Sequence, residues 1–331
     1  MPTIKDVAAL ANVSPSTVSR VIKGNSRISN STAERVRDCM KQLNYYPNQM
    51  ARTLVTKRSK TIGIIQKSGD NSIKQNPFLL DILTGIHRYS EKHSYLTVVT
   101  TSTTDEELKR EVERSIQSQY IEGFILLYSR AHDAVEQLLI DNQCPYVIIG
   151  KPLSNHGSLF VDNDNIGAAI DLTNYLINKN HEKIIFLTEY SDYEVFKDRV
   201  KGYLQAMQQH HLVPQIQSIP LNRKEIKNCL IELLKSDNVT AIITSDTMLN
   251  MMVISALYEL KISIPEKIKT ATFNDSFLNA YASPPQTAVD VYPDQLGRMA
   301  VHLLTNHIEG NNDYSCEHII PTRIIERSST I

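Results

Sequence analysis

Residues 14–24 read SPSTVSRVIKG, and Ser16, Thr17 and Arg20 set short hydroxyls beside a guanidinium on one side of a helical segment. Ser16 and Arg20 stand one turn apart. A solvated helix face usually carries longer charged side chains. Hydroxyls around one arginine suit the reading of base edges. Arginine can take O6 and N7 of a guanine together, and serine or threonine can bond several bases. A second set is dispersed: Asp162 ends SLFVD, Asp246 ends AIITSD, Asn274 and Asp275 end TATFND, and Arg199 lies in VFKDRVKGY. Carboxylates, an amide and a guanidinium together accept and donate, as a polyhydroxylated ligand requires. Each aspartate could equally cap the helix that follows it.

The first set needs a frame. Ser14 is a good N-cap, Pro15 suits the first helical position, and Gly24 can close the helix in a left-handed conformation. Val18, Val21 and Ile22 form the buried side. The preceding TIKDVAALANV reads as another helix, with Thr3 and Asp6 in a variant of the capping box and Val7, Ala8 and Ala11 as its apolar stripe. ANV is a turn of the length that a helix-turn-helix needs. A third helix is expected after Ser31, which would form a capping box with Glu34; Val36, Met40 and Leu43 make its stripe.

Charge separates a nucleic-acid-binding head from a generic helical bundle. Residues 1–60 hold 11 lysines and arginines against three acidic residues, a net charge of +8, while residues 61–331 hold 24 against 33 and carry −9. A near-neutral chain thus hides a basic head and an acidic body, the segregation expected of a domain that neutralises phosphates.

Beyond residue 60 the strand-like runs TIGIIQ, LTVVTTS, GFILLYS, PYVIIG, KIIFLTE, AIITSD and KTATFND alternate with helical segments such as 104–119 and 166–179. Branched-aliphatic strands with helical crossovers predict an α/β body of doubly wound parallel sheets. Ligands of such sheets lie at the carboxyl ends of the strands, where the second polar set falls. No nucleophile elbow, dinucleotide-binding loop, Walker loop or zinc-binding H-E-x-x-H motif occurs, so neither an enzyme nor a cofactor is expected. The four cysteines lack C-x-x-C spacing and read as ordinary interior residues, with no metal site. A capped first helix in place of a signal sequence, and no apolar run of about 18 residues, read as a cytoplasmic protein without membrane contact.

TIKDVAALANVSPSTVSRVIKG followed by YYPNQMARTLVTKRSKTIGII resembles the LacI/GalR family of bacterial transcription regulators, and the resemblance extends along the whole chain. It implies a helix-turn-helix head over 1–47, a hinge helix and linker over 48–60, and a body over 61–331 built like periplasmic sugar-binding proteins. The N-lobe would span about 61–161 and 292–320, and the C-lobe about 162–291 and 321–331. Ser16, Thr17 and Arg20 then hold the base-reading positions of a double-stranded operator, Ser14 and Ser19 position the helix on phosphates, and Thr3 also contacts DNA. Pro15 stands where some relatives place a base-reading side chain. In the hinge, Asn48 and Arg52 would contact DNA and Leu54 would wedge into the central base step from the minor groove.

The resemblance also implies a small-molecule effector held by Asp162, Arg199 and Asn274, with Asp246 and Asp275 beside them. Phe78, Leu79, Phe196 and Phe273 would offer apolar faces to a sugar. The strings SPSTVSRVIKGNSRIS, VDNDN and FNDSFLNAYASPPQTAVDV are most similar to those of the maltose-operon branch of the family, implying maltose or a maltodextrin as effector. Control by another sugar or by a protein corepressor remains the alternative. RIIERSSTI carries no heptad pattern for a tetramer, and a two-fold operator needs two heads, so a homodimer is expected.

Overall fold

The computed structural model describes residues 2–22, 24–46, 58–66, 76–153, 157–235, 239–311 and 315–331. Two compact units divide it, residues 1–59 and 60–331. Asn48, Arg52 and Leu54, with the expected hinge helix, lie outside the described residues.

The first unit is a three-helix head: α1 (Ile4–Leu10), α2 (Pro15–Ile22) and α3 (Asn30–Gln42). Thr3 opens α1, donating from its backbone N–H and its hydroxyl to Asp6 Oδ2 at 2.7 and 2.8 Å. After α2, Gly24 sits at φ +68°. Its N–H donates to Val21 O and that of Asn25 to Arg20 O, closing the helix in a Schellman motif. The third helix starts earlier than Ser31: Ser29 is the cap, its Oγ accepting from Thr32 N–H at 3.4 Å. Ser31 and Glu34 lie inside the helix instead of boxing its end. Val7, Ala11, Val18, Val21 and Val36 close the small core.

The second unit holds two six-stranded sheets. The first comprises β1 (Thr61–Ile65), β2 (Leu96–Val99), β3 (Gly123–Leu126), β4 (Tyr146–Ile149), β5 (Leu159–Asn163) and β11 (Glu317–Ile320), in the order β11-β5-β4-β3-β1-β2. The second comprises β6 (Ile184–Glu189), β7 (Gln215–Ile219), β8 (Ala241–Thr244), β9 (Lys269–Phe273), β10 (Thr287–Asp290) and β12 (Arg323–Ile325), in the order β12-β10-β9-β8-β6-β7. All pairings are parallel except β10 with β12. Strand order reverses at β1/β3 and at β6/β8, the switch points where doubly wound sheets leave a crevice.

Helices α4 (Pro77–Lys92), α5 (Asp105–Gln117), α6 (Ala134–Asp141) and α12 (Pro293–Glu309) serve the first sheet. The second is served by α7 (Asn165–Ile177), α8 (Glu194–Gln209), α9 (Arg223–Leu233), α10 (Thr247–Glu259) and the short α11 (Phe277–Tyr281). Gly85 of α4 and Gly297 of α12 let those two helices touch backbone to backbone: a Cβ on Gly85 would strike Asp294, and one on Gly297 would strike the Ile82 carbonyl.

The chain passes between the sheets three times: between Asn163 and Asn165, between Asp290 and Pro293, and between Ile320 and Arg323. The first passage falls later than Val161–Asp162. Asp162 is still paired to Ile319 and Asn163 to Ile320 in the first sheet, so both belong to the first lobe. Cys39 is buried, Cys144 and Cys229 are partly buried, and Cys316 is exposed, so not all four are interior. Among the described residues no helix is long and apolar enough to cross a membrane.

Candidate functional site

On the head, Ser14 orders the hydroxyls of the second helix. Its Oγ accepts from Thr17 N–H at 3.2 Å and lies 2.7 Å from Ser16 Oγ and 2.9 Å from Thr17 Oγ1. Ser16 and Arg20 are exposed, and Thr17 and Ser19 are half-buried. The Arg20 guanidinium has no hydrogen bond or ion pair among the described residues. Lys5, Arg27, Arg35, Arg37 and Lys41 are also exposed, and Thr3 and Ser14 present their side chains to solvent. The head therefore displays a basic surface on which, among the described residues, Arg20 stands uncommitted beside preordered hydroxyls.

In the body, a cleft opens at the carboxyl ends of both sheets. Phe78, Leu79, Asp162, Phe196, Arg199, Asp246 and Asn274 all line it. Arg199, on the first turns of α8, is only 2% exposed. Its Nε donates to Asn165 Oδ1 at 3.2 Å, Nη1 to Ser245 O at 2.7 Å and Nη2 to Asn274 Oδ1 at 2.9 Å. Burial lowers its pKa to about 10, against the pull of Asp246 and Asp162.

Asn274 completes the link by donating from Nδ2 to Asp246 Oδ2 at 2.7 Å. An amide suits this place between a guanidinium and a carboxylate, since it must accept from one and donate to the other. Its backbone is left-handed at φ +63°, a region that asparagine tolerates. Asp246 also caps α10, accepting from Met248 N–H at 2.7 Å, so capping and site membership coexist in one carboxylate. Across the cleft, Asn76 caps α4 through Phe78 N–H and donates to Asp246 Oδ2 at 3.3 Å. Burial raises the Asp162 carboxyl to about 6, although the Asn163 N–H and Arg199 pull the other way.

Two expected members fall elsewhere. Phe273 is fully buried among Phe186, Tyr203 and Val289, because neighbours on a strand point to opposite faces. It acts from beneath: the Arg199 guanidinium lies 4.4 Å from its ring centroid. Asp275 is held outside the cleft by a bidentate pair with Arg327, at 2.7 and 2.8 Å.

Sequence reasoning missed several lining residues, among them Tyr128, Ser129, Lys151, Glu189 and Tyr193. Tyr128 and Tyr193 come from different lobes and stack with centroids 5.5 Å apart. The Glu194 N–H donates to Ser129 O at 3.0 Å, and Arg130 bridges to Tyr193, so the lobes also meet at one rim. Glu189 ends β6 and is pushed up to about 7 by burial and by Asp246. The strand-end signal that marks Asp162 and Asp246 marks Glu189 too.

A helix-turn-helix head followed by two parallel-sheet lobes around a polar cleft defines the class of a bacterial transcription regulator. Residues 3–48 match bacterial regulatory proteins of the lacI family, and residues 173–330 match a periplasmic binding protein-like domain. Over 331 residues the chain is 50% identical to the HTH-type transcriptional regulator MalR of Staphylococcus xylosus, covering 100% of this chain and 98% of that one. A solved structure described as a probable maltose operon transcriptional repressor malR from Staphylococcus aureus aligns with a TM-score of 0.79 at 39% identity, over 83% of this chain and 99% of that one. A transcriptional regulator CelR–cellobiose complex aligns with a TM-score of 0.76 at 26% identity, over 99% of this chain and 100% of that one. The chain belongs to the LacI family of bacterial transcription regulators, which are not enzymes.

Proposed function

We propose that the protein represses transcription as a homodimer on a near-palindromic operator and is released by maltose or a short maltodextrin. Arg20 reads a guanine in each half-site with Ser16 and Thr17 beside it, while Thr3, Ser14 and Ser19 hold phosphates. Asn48, Arg52 and Leu54 act at the centre of the operator. Sugar enters the cleft between the lobes, where Asp162, Arg199, Asp246 and Asn274 supply acceptors and donors and Phe78, Leu79 and Phe196 supply apolar faces.

One observation carries the reading: a connected polar network, from Asn165 through Arg199 and Asn274 to Asp246, stands at the strand ends of a chain 50% identical to the regulator MalR and 39% identical to a probable maltose operon repressor. The cellobiose complex of CelR supports a disaccharide-sized ligand for this architecture.

The test is a gel-shift titration of the operator complex with maltose, maltotriose, ribose and a purine base. Release by the first two is expected. Release by ribose or the purine alone would reject maltose, and silence from all four would favour a protein corepressor. Light scattering of the free protein should give a two-chain mass.

A further inference from the structure

We infer that Asn279 and Thr247, which stand behind the cleft, are positioning residues for the effector: they hold Asn274 in the left-handed turn from which its amide joins Arg199 to Asp246. Neither residue lines the cleft itself. The inference rests on the sugar reading above and names what keeps that polar network in register.

Asn274 needs holding. It follows β9 at φ +63°, and a left-handed backbone is unfavourable for a residue with a Cβ even where asparagine tolerates it. Such a conformation persists only where its surroundings fix it. Here they act on both sides of the turn. The Asn274 carbonyl accepts from the Thr247 hydroxyl and from Asn279 Nδ2 at 3.3 Å, which fills both of its lone pairs. The next N–H, that of Asp275, donates to Val289 O at 2.9 Å, and Arg327 holds the Asp275 carboxylate.

Asn279 is fully buried on α11, and Thr247 is buried at the start of α10. The Asn279 backbone is pinned, its N–H donating to Ser276 O at 3.1 Å and its carbonyl accepting from Gln286 N–H at 2.8 Å. Its Nδ2 donates to Thr247 Oγ1 at 2.8 Å. The amide faces the turn with its nitrogen, because the Asn274 carbonyl only accepts. That orientation leaves Asn279 Oδ1 buried and without a hydrogen-bond partner among the described residues, which costs stability. Fold stability therefore does not account for an amide at this position, whereas its donors toward the turn do. Without them the turn relaxes toward right-handed or extended backbone. The Asn274 side chain then leaves its place between Arg199 Nη2 and Asp246 Oδ2.

The experiment is calorimetric titration of the full chain with maltose. Thr247→Val, which keeps the shape and removes the hydroxyl, should weaken maltose binding at least roughly tenfold, and so should Asn279→Leu. Thr247→Ser, which restores the hydroxyl, should bind within about threefold of wild type. A double-mutant cycle separates positioning from a role of its own. Asn274→Gly keeps the left-handed turn without the amide, and on that background Thr247→Val should weaken binding further by less than about twofold. Wild-type affinity in Thr247→Val would overturn the inference and leave the sugar reading intact. So would a serine variant as weak as the valine one, or full additivity in the cycle. Should Asn279→Leu fail to fold, the Thr247 series decides alone. Wild type that does not bind maltose would overturn the sugar reading and this inference with it.

Discussion

The side-chain amide of Asn163 donates to the Ile320 carbonyl at 2.9 Å and to the Val291 carbonyl at 3.1 Å. Those three residues stand on the three passages between the lobes, so one buried side chain ties all of them together. Asn163→Ala removes both donors from buried carbonyls and should cost about 1–3 kcal/mol in urea unfolding. Asn163→Asp should cost more, because a carboxylate would face two carbonyl oxygens. Wild-type midpoints for both variants would show that the clamp contributes nothing.

Arg20 has no partner within the described residues and stands exposed beside Ser16. On the operator, Arg20→Ala should lose about 1–3 kcal/mol per half-site and relax the preference at a single base pair. Binding measured on operators mutated at each position separates this from a phosphate contact. A uniform loss on every sequence, with a shallower salt dependence, would make Arg20 a backbone contact.

The seven runs read as strands correspond to β1, β2, β3, β4, β6, β8 and β9; buried parallel strands are short and aliphatic, and the edge strand β2 shares that composition although its Leu96 and Val98 are exposed. The edge strand β7, QIQSI, with Gln215 and Ile216 exposed, was not legible, nor was β11, EHII, with Glu317 and Ile319 exposed. Strand ends marked Asp162, Asp246 and Asn274 correctly as cleft lining. The same marker fails one residue away: the pleat turns Phe273 into the core, and Arg327 from the far end of the chain captures Asp275. Nothing in the sequence pairs Tyr128 with Tyr193. Their stacking exists only because two lobes meet.

The acids of the cleft make stability depend on pH. Folding raises Glu189 from 4.5 to about 7 and Asp162 from 3.8 to about 6, both chiefly by burial. The folded chain therefore keeps protons that the unfolded chain has already released. Stability from these groups is fully present below the unfolded values and is lost as pH rises through the folded ones. Glu189→Gln should thus melt higher than wild type at pH 8, with the difference fading as pH falls towards about 4.5. Thermal unfolding across that range checks the sign, and a difference that grew at low pH would contradict it.

Leu54 lies in the segment proposed to sit at the operator centre. If it wedges into the central step, Leu54→Ala should reduce bending and weaken specific binding while leaving non-specific binding nearly unchanged. The cost of unstacking is offset only by contacts that the bent duplex permits. Circular-permutation gels with equal bending by variant and wild type would dispose of the wedge.

Arg199 ties three parts of the C-lobe side of the cleft: Asn165 at the start of α7, the Ser245 carbonyl after β8, and Asn274 after β9. Arg199→Ala should leave Asp246 and Asn274 without that cross-link and expose the Ser245 carbonyl to a void. The residue belongs to the body and not to the head unit, so operator binding without sugar should survive. Sensitivity to maltose should fall by a factor of 100 or more, roughly the loss of two charge-assisted hydrogen bonds. Coupling is reciprocal, so wild-type protein already on its operator should bind maltose more weakly by the same factor by which maltose weakens operator binding. Titrating sugar into free and operator-bound protein, wild type beside Arg199→Ala, measures both quantities. A variant that is still released at wild-type maltose concentrations would remove Arg199 from the response. Unequal factors in the two wild-type titrations would show that sugar and operator are not coupled through a single equilibrium.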